Sequence, residues 1–232
     1  MNPATELASL AALLADQTRA AICLALLDGR AWTAGELAAH AGVAPSTATD
    51  HLHRLISGGL LVERRQGRHR YVQLAGPAVA QLIEDLAAHT GPTRTPVRGL
   101  REATAGAALR RGRTCYDHLA GRLGVALTDA MTAAGLLDQT GGFALTPAGL
   151  TWLTDELGLD PAELRQSRRP LARGCLDWTE RRQHLAGIAG AELCRRLLDN
   201  RWVARVGSGR AVRITPSGKS ELGRLLELPD ID

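Results

Sequence analysis

The sequence is poor in aromatic residues and has no long hydrophobic run. Aromatics make up 3% of its 232 residues, with Phe143 as the only phenylalanine. Apolar residues still reach 45%, so the core must be built from leucine, alanine, valine and isoleucine, which favours helices. No stretch approaches the roughly 20 apolar residues of a membrane span, and the N-terminus lacks the basic start and apolar run of a secretory signal. We therefore expect a cytoplasmic protein without a membrane partner.

The sequence also lacks paired cysteines and the common catalytic motifs. Cys23, Cys115, Cys175 and Cys194 are far apart, which argues against a disulfide scaffold and a zinc knuckle. No GxGxxG, GxxxxGK[ST], HExxH or GxSxG pattern occurs. We therefore expect no enzymatic activity, and a thiol beside a histidine is the one enzymatic alternative that remains.

The N-terminal third has the spacing of a helix-turn-helix. Thr33 and Glu36 form a predicted capping box that opens a short helix, which Gly42 ends. A second helix is predicted from about Ser46 to Ser57. Its apolar stripe contains Ala48, Leu52, Leu55 and Ile56, and its opposite face contains Ser46, Thr47, Asp50, His53 and Arg54. Short polar side chains near the start of that helix would allow it to approach base edges.

A basic hairpin follows this helix. Two strand-like runs, 60–65 and 68–74, flank Gln66 and Gly67, as expected for a strand, turn and strand. The formal net charge is only +4, but arginines crowd around the hairpin tip, where a polyanion would relieve their repulsion. These arginines are Arg64, Arg65, Arg68 and Arg70. DNA phosphates are the expected partner, and ordinary solvated charge is the alternative.

About the first ninety residues resemble ArsR-type repressors. The resemblance is carried by residues 14–19, 46–55, 59–61 and 67–71. It implies a winged helix that dimerises through its first and last helices, binds a palindromic double-stranded operator and releases it when an inducer arrives. The predicted DNA-binding residues are Ser46, Thr47, Thr49, His51, His53, Arg54, Arg64, Arg65, Arg68, His69 and Arg70. Because His51 lies at the edge of the apolar stripe, it could instead brace the helix.

The sequence departs from the metal-sensing members of that family. Those members carry a Cys-x-Cys pair in the helix that corresponds to residues 36–40, or a carboxylate and histidine cluster on the closing helix. Neither set is present, and Glu84, Asp85 and His89 do not reproduce the second spacing. The usual metal ligands cannot be transferred, so any sensor is expected elsewhere in the chain.

The remaining residues contain an internal duplication. Residues 91–97 are rich in turn formers and predict a linker between a DNA-binding and dimerisation domain, 1–90, and a C-terminal regulatory domain, 98–232. Beyond the linker, Arg-x-Cys-x-Asp, His-Leu-Ala-Gly and Thr-Pro-x-Gly each occur twice. Each copy is predicted to form a helix, a short hairpin and a second helix. The expected fold class is therefore mainly α with small β wings (α+β), with winged-helix-like halves in the C-terminal domain.

Pairing of the two copies would bring six chemically active residues together. These sensor candidates are Cys115, Asp117, His118, Cys175, Asp177 and His184. Arg113 and Arg173, two residues before the cysteines, could favour thiolates for oxidation or persulfide chemistry. Cysteine, histidine and carboxylate also suit a borderline or soft metal ion, whereas buried cysteines often serve only packing. Packing is the leading expectation for Cys23, and Cys194 is intermediate.

Together these patterns predict a homodimeric transcriptional regulator, a repressor by resemblance. Its inducer is left open among an oxidant that acts on Cys115 and Cys175, a metal ion and a small organic molecule. No cofactor follows from the sequence, and a metal ion is compatible with it. A DNA-binding protein of architectural type, without any sensor, is a further alternative.

Overall fold

The computed structural model describes residues 2–67, 69–90, 100–162, 169–207, 209–229 and 231. The chain forms two compact units, Met1–Ile83 and Glu84–Asp232. Their boundary falls within one helix, Pro77–Thr90, which begins in the first unit and ends in the second. The predicted linker, 91–97, lies outside the described residues, and the division into a DNA-binding and a regulatory domain stays a prediction.

The first unit contains the helices and the sheet of a winged helix. Its elements are α1 (Pro3–Leu14), α2 (Gln17–Ala25), a short 3-10 turn (Leu26–Asp28), β1 (Trp32–Thr33), α3 (Ala34–Ala41), α4 (Pro45–Ser57), β2 (Leu61–Gln66), β3 (His69–Leu74) and α5 (Pro77–Thr90). The three strands form an antiparallel sheet in the order β1-β3-β2. Ile22, Leu37, Leu52 and Leu55 are among the buried residues of this unit.

The second unit begins within α5 and continues with helices and short antiparallel hairpins. The elements after α5 are α6 (Leu100–Arg111), β4 (Arg113–Cys115), β5 (His118–Ala120), α7 (Gly121–Ala133), β6 (Leu137–Asp138), β7 (Ala144–Leu145), α8 (Pro147–Asp155), β8 (Arg173–Leu176), β9 (Gln183–Ala186), α9 (Gly187–Asp199), β10 (Val203–Arg205), β11 (Val212–Ile214) and α10 (Pro216–Leu226). This series repeats one motif, in which a hairpin leads into a helix, a second hairpin and a second helix.

The duplication is repeated in detail. Thr146 caps α8 by accepting a hydrogen bond from the Gly149 amide at 3.0 Å. Thr215 caps α10 in the same way by accepting one from the Gly218 amide at 3.0 Å. A proline follows each threonine, where its missing N–H costs nothing. Both copies supply one shared core, with Leu127 and Met131 from the first and Leu193 and Leu197 from the second. The predicted α+β class and the duplicated, winged-helix-like C-terminal domain are confirmed.

Among the described residues, no single helix is long and apolar enough to cross a membrane. The segments Pro3–Leu14 and Gln17–Asp28 reach that length and composition only when they are taken together, and they are bent by 82° relative to each other.

Candidate functional site

The turn between α3 and α4 is built from local signals in the sequence. Thr33 and Glu36 form the predicted capping box, with the Thr33 amide donating to Glu36 Oε2 at 2.8 Å. Gly42 ends α3 with φ of 68°, in the left-handed region that favours glycine. Pro45 occupies the first turn of α4. These signals bring two short helices together through a tight turn, which defines a helix-turn-helix.

Helix α4 buries one face and exposes the other. Ala48, Leu52 and Leu55 are buried, and Ile56 is half-buried. Most residues predicted to contact DNA from this helix are exposed, namely Ser46, Thr47, His53 and Arg54. Thr49 is half-buried and donates from Oγ1 to the Pro45 carbonyl at 2.9 Å. The exposed face is therefore polar and, near its N-terminus, free of bulky side chains.

His51 differs from its neighbours on α4. Its side chain is 15% exposed, and Nδ1 lies 3.6 Å from Asp16 Oδ1 and 3.4 Å from Arg19 Nη1. Asp16 caps α2 by accepting from the Arg19 amide at 2.9 Å. His51 thus lies between α4 and the start of α2, which is the bracing position that the sequence left open.

The wing is the β2–β3 hairpin. Arg65 pairs across the strands with Arg70, and Glu63 lies on the same face of β2 as Arg65. Glu63 accepts hydrogen bonds from Arg65 Nε at 3.2 Å and from Arg70 Nη2. One carboxylate therefore offsets part of the charge of two arginines, and these bonds keep the pKa of Glu63 below its usual value. Arg64 is exposed.

Two further residues are predicted for this interface near the tip of the wing, Arg68 and His69. Arg68 lies outside the described residues. Of His69 only the backbone is described, as the first residue of β3 and the partner of Gln66.

The second unit brings Cys115, His118, Cys175 and His184 together, and we call these four residues the Cys/His cluster. Cys115 lies opposite His118 across β4 and β5, and Cys175 lies opposite His184 across β8 and β9. Each hairpin therefore supplies one sulfur and one imidazole. One ligand atom from each residue lies within 4.8 Å of all the others. Four of the six predicted sensor residues thus form one compact group.

Glycines at equivalent places in the two copies allow α7 and α9 to pass close to the hairpins that carry the cluster. Gly124 on α7 lies against the Leu119 carbonyl, and a Cβ there would also lie 3.6 Å from the Cβ of His184. Gly190 on α9 lies against the Leu185 carbonyl, and its Cβ would lie 3.3 Å from the Cβ of His118. Each helix therefore passes close to the histidine of the other copy.

The cluster is buried and closely spaced. Cys115 and Cys175 are each 1% exposed, His118 is 4% exposed and His184 is 0% exposed. The two sulfurs are 3.9 Å apart, and the two Nε2 atoms are 3.1 Å apart. The imidazole rings are stacked with their centres separated by 5.1 Å. No disulfide joins cysteines among the described residues.

The two predicted aspartates lie behind the histidines. Asp117 Oδ1 is 3.2 Å from His118 Nδ1, and Arg169 donates to Asp117 Oδ2 at 2.6 Å. Asp177 Oδ2 is 3.6 Å from His184 Nδ1, and Arg113 donates to it at 3.0 Å. Asp117 is therefore placed to orient the His118 imidazole by a hydrogen bond. Asp177 faces His184 Nδ1 at a longer distance, and that buried nitrogen has no hydrogen-bond partner among the described residues.

The arginines that precede the cysteines have other partners. Arg113 is fully buried, pairs with Asp177 of the other copy and lies 4.8 Å from the centre of the Trp178 ring. Arg173 is half-exposed and lies 3.6 Å from Asp85. Arg113 consequently links the two copies through a buried ion pair.

The surroundings shift the pKa values of the cluster in opposite directions. Burial, the Cys175 sulfur and the nearby Glu84 carboxylate raise the pKa of Cys115. Hydrogen bonds from Cys115, His118 and His184 lower the pKa of Cys175 despite its burial. Burial alone would lower the pKa of His118, but Asp117 and Cys175 raise it to about 9. The geometry therefore stabilises a thiolate at Cys175 beside a protonated imidazole.

The other two cysteines behave as core residues. Burial raises the pKa of Cys23 and of Cys194 to about 12. Both are buried among apolar side chains of their own unit. This environment suits the packing role expected for Cys23. It suits the same role for Cys194.

Sequence reasoning missed two groups around the cluster. Glu84 on α5 is 1% exposed, lies beside Cys115 and accepts from Arg210 Nη1 at 3.0 Å. Arg169 is the partner of Asp117. The only available signal was their charge, because Glu84 is 31 residues from Cys115 and Arg169 is 52 residues from Asp117 in the sequence.

The fold and the polar face of α4 define a winged helix-turn-helix DNA-binding protein. Residues 14–64 match the family described as "Helix-turn-helix domain". The chain is also 41% identical over 220 residues to the "Uncharacterized HTH-type transcriptional regulator YdfF" of Bacillus subtilis (strain 168), which covers 94% of this chain and 95% of that relative. The chain belongs to the ArsR-type HTH transcriptional regulators and carries a long C-terminal extension.

Other similar proteins match about a third of this chain. The HTH-type transcriptional regulator CmtR of Mycobacterium tuberculosis (strain ATCC 25618 / H37Rv) is 41% identical over 82 residues, or 35% of this chain and 69% of CmtR. The solved structure of the cadmium metal-sensor CMTR from M. tuberculosis is 40% identical, covers 34% of this chain and 81% of its own, and has a TM-score of 0.31. The solved structure of the homodimeric winged helix-turn-helix domain of Mb0332 from Mycobacterium bovis is 30% identical. It covers 38% of this chain and 80% of its own, with a TM-score of 0.36.

Proposed function

We propose that this regulator is a homodimeric repressor that binds a palindromic operator and releases it when its second unit receives a signal. The observation that carries the DNA-binding part is the exposed polar face of α4 beside the arginine-bearing wing. The observation that carries the sensing part is the Cys/His cluster.

The exposed face of α4 suits the major groove. Ser46 and Thr47 project from its first turn, where helix-turn-helix proteins contact base edges. Their short hydroxyl side chains hydrogen-bond to bases without holding the helix away. His53 and Arg54 lie further along the exposed face, within reach of bases or phosphates.

The wing suits the phosphate backbone. Arg64 is exposed, and Arg65 and Arg70 are arranged by one carboxylate on the same strand face. Glu63 limits the positive charge of the hairpin, so Arg64 is the wing residue in the described part from which we expect the strongest phosphate contribution. Phosphate contacts of this kind set affinity and orientation but carry no base preference.

The exposed surface of α1 supports dimerisation. Helix α1 is rich in leucine and alanine, yet contributes no buried residue, and Leu7 is 68% exposed. A large apolar side chain that is left in water costs free energy, which a partner subunit would recover. A dimer would present two α4 helices to half-sites separated by about 34–36 Å, so a small change in their spacing would weaken operator binding.

The DNA-binding part is tested by selecting bound sequences from a random duplex library and measuring affinity for the selected site. We expect a palindrome, bound by a species with twice the 24.7 kDa mass of the chain. Thr47→Ala should lose about 1–3 kcal/mol of preference for the selected site over scrambled DNA. Arg64→Ala should weaken binding to both sequences and reduce the salt dependence by about one counterion.

Arg224→Ala is the matched control, because Arg224 is an exposed arginine on α10 of the second unit. It should leave affinity, sequence preference and salt dependence unchanged. Failure to select any sequence, or equal losses for Arg64→Ala and Arg224→Ala, would contradict the proposed interface.

Oxidation of the two thiols is one candidate for the signal that the second unit receives. It is favoured by the 3.9 Å separation of the Cys115 and Cys175 sulfurs and by the thiolate character of Cys175. If Cys115→Ser and Cys175→Ser respond to oxidant, metal and metabolite as the unchanged chain does, the cluster has no sensory role. The chain would then be a DNA-binding protein of architectural type.

A further inference from the structure

The Cys/His cluster has the ligand set of a tetrahedral metal site. A tetrahedral ion with bonds of about 2.3 Å to sulfur and about 2.0–2.1 Å to nitrogen separates two sulfurs by roughly 3.8 Å and two nitrogens by roughly 3.3 Å. The two sulfurs of the cluster are 3.9 Å apart, and the two Nε2 atoms are 3.1 Å apart. These two edges therefore match such a tetrahedron to within a few tenths of an ångström.

The carboxylates behind the imidazoles determine which nitrogen faces the centre. Asp117 lies at hydrogen-bond distance from His118 Nδ1, and Asp177 Oδ2 lies 3.6 Å from His184 Nδ1. Each carboxylate favours a proton on the Nδ1 atom that faces it, which leaves the Nε2 atoms as electron-pair donors. The two Nε2 atoms are 3.1 Å apart, at hydrogen-bond distance, so one proton lies between them in the metal-free chain. A metal ion that binds both nitrogens takes the place of that proton. Metal-binding histidines are oriented by carboxylates in this way.

The charges of the cluster balance around a divalent ion. Two thiolates cancel the charge of one divalent cation, so the buried centre carries no net charge. The carboxylates behind the histidines are already paired, Asp117 with Arg169 and Asp177 with Arg113. A divalent ion can therefore be buried here without an uncompensated charge, which a protein interior would not tolerate.

We propose that Cys115 Sγ, His118 Nε2, Cys175 Sγ and His184 Nε2 bind one divalent ion of the zinc class in the second unit. Two thiolates and two imidazoles in a tetrahedron select zinc-like ions over magnesium, calcium or manganese. Four protein ligands leave no open position, so the site is closed rather than catalytic. Binding releases the thiol proton of Cys115 and the proton held between the imidazoles, and it involves no oxidation.

This site differs in place and composition from the metal sites of the metal-sensing ArsR-type members, whose ligands are missing from the winged helix of this chain. Its ligands come from the two copies of the duplication, one hairpin from each. Neither copy can complete the site alone. The ion therefore links the two copies to each other, and a complete ligand set requires both of them.

Burial argues against oxidation as the main chemistry of the two sulfurs. Sensor thiols are usually accessible to their oxidant, whereas Cys115 and Cys175 are each 1% exposed. A disulfide would also have to shorten the 3.9 Å separation to about 2.05 Å. It would leave the two facing imidazoles without a role.

A route from the site towards α5 is present within the second unit. Glu84 on α5 lies beside Cys115 and is held by Arg210. Binding of the ion removes the thiol proton of Cys115, so the sulfur beside the Glu84 carboxylate can no longer donate to it. The role of the ion as an inducer rests on the function proposed above, but the existence of the site does not.

The test is a titration of the reduced, metal-free full-length chain with Co²⁺, which reports tetrahedral thiolate coordination by its visible spectrum. We expect one Co²⁺ per chain, displaced by Zn²⁺, with two sulfur and two nitrogen neighbours in X-ray absorption of the zinc-loaded protein. Cys175→Ser and His184→Gln should lose the thiolate-type tetrahedral spectrum. Cys194→Ala, which removes a buried cysteine of the same unit outside the cluster, should retain it.

Asp117→Asn tests the positioning role of the carboxylate. It should keep the tetrahedral spectrum but weaken binding about 10- to 100-fold. Absence of tetrahedral Co²⁺ in the unchanged chain, or a different ligand set in X-ray absorption, would overturn the metal site even if a variant failed to fold. Metal binding with the expected ligands but without any change in operator affinity would leave the site intact and overturn only its role in regulation.

Discussion

Replacing Asp177 by alanine would remove the carboxylate that connects the two copies of the second unit. Asp177 and Arg113 are both fully buried and lie 3.0 Å apart. Asp177 also accepts from the Gly121 amide at 2.6 Å and from the Thr179 hydroxyl at 2.6 Å. The substitution therefore leaves a buried guanidinium and several buried donors without their acceptor.

The expected loss is large because one charge of the pair stays behind. Removing one member of a buried ion pair lowers the free energy of unfolding by about 3–5 kcal/mol. Because Asp177→Ala also leaves the additional donors unpaired, we expect a loss near the upper end of this range. The charge of Arg113 and the hydrogen bond from Thr179 keep the pKa of Asp177 below its usual value, although burial opposes this. Its contribution is thus present at neutral pH and is lost as the pH falls through the lowered value.

Urea unfolding followed by tryptophan fluorescence measures this loss, since Trp178 stacks on Arg113 and two further tryptophans lie in the second unit. The double variant Arg113→Met with Asp177→Leu is the control, because it removes both charges. It should recover the part of the stability that the unpaired Arg113 charge costs, while the Gly121 and Thr179 donors still lack their acceptor. A loss below about 1 kcal/mol for Asp177→Ala, or an equal loss for the double variant, would refute the reasoning.

Two further predictions follow from local geometry. Thr33→Ala breaks the capping box with Glu36 and should cost about 1 kcal/mol, measured by urea unfolding followed by far-UV circular dichroism. Gly190→Ala would place a Cβ against the Leu185 carbonyl and should cost about 1–3 kcal/mol and weaken Co²⁺ binding. Gly223→Ala has no described heavy atom within 4 Å of its new Cβ and should be neutral or stabilising by up to about 1 kcal/mol. Equal effects of the two glycine variants would contradict the close approach of α9 to β9.

The sequence predicts the first unit well because its signals are local. The capping box at Thr33, the stop at Gly42 and the apolar period of α4 each depend on residues within one or two helical turns. The wing was predicted in the same way, from two strands and a glycine turn. The ion pairs of Glu63 with Arg65 and Arg70 depend on the pairing of β2 with β3, so the number of arginines alone does not predict them.

The cluster could be predicted in part because the duplication is visible. Repeated Cys and His motifs suggested that equivalent turns meet, and the structure brings those four side chains together. The arrangement of the carboxylates could not be predicted, because the pairing of Arg113 with Asp177 and of Asp117 with Arg169 depends on how the two copies pack. Glu84 was overlooked as a neighbour of Cys115 for the same reason.

The central claim is that the second unit controls operator binding through the Cys/His cluster. The most direct measurement is the operator affinity of the full-length chain, first metal-free and then loaded with Zn²⁺, compared with His184→Gln under both conditions. The account predicts that Zn²⁺ weakens operator binding by the unchanged chain about 5- to 150-fold, the usual range of allosteric coupling, and has no effect on His184→Gln. Equal affinities of the unchanged chain with and without bound Zn²⁺ would contradict it.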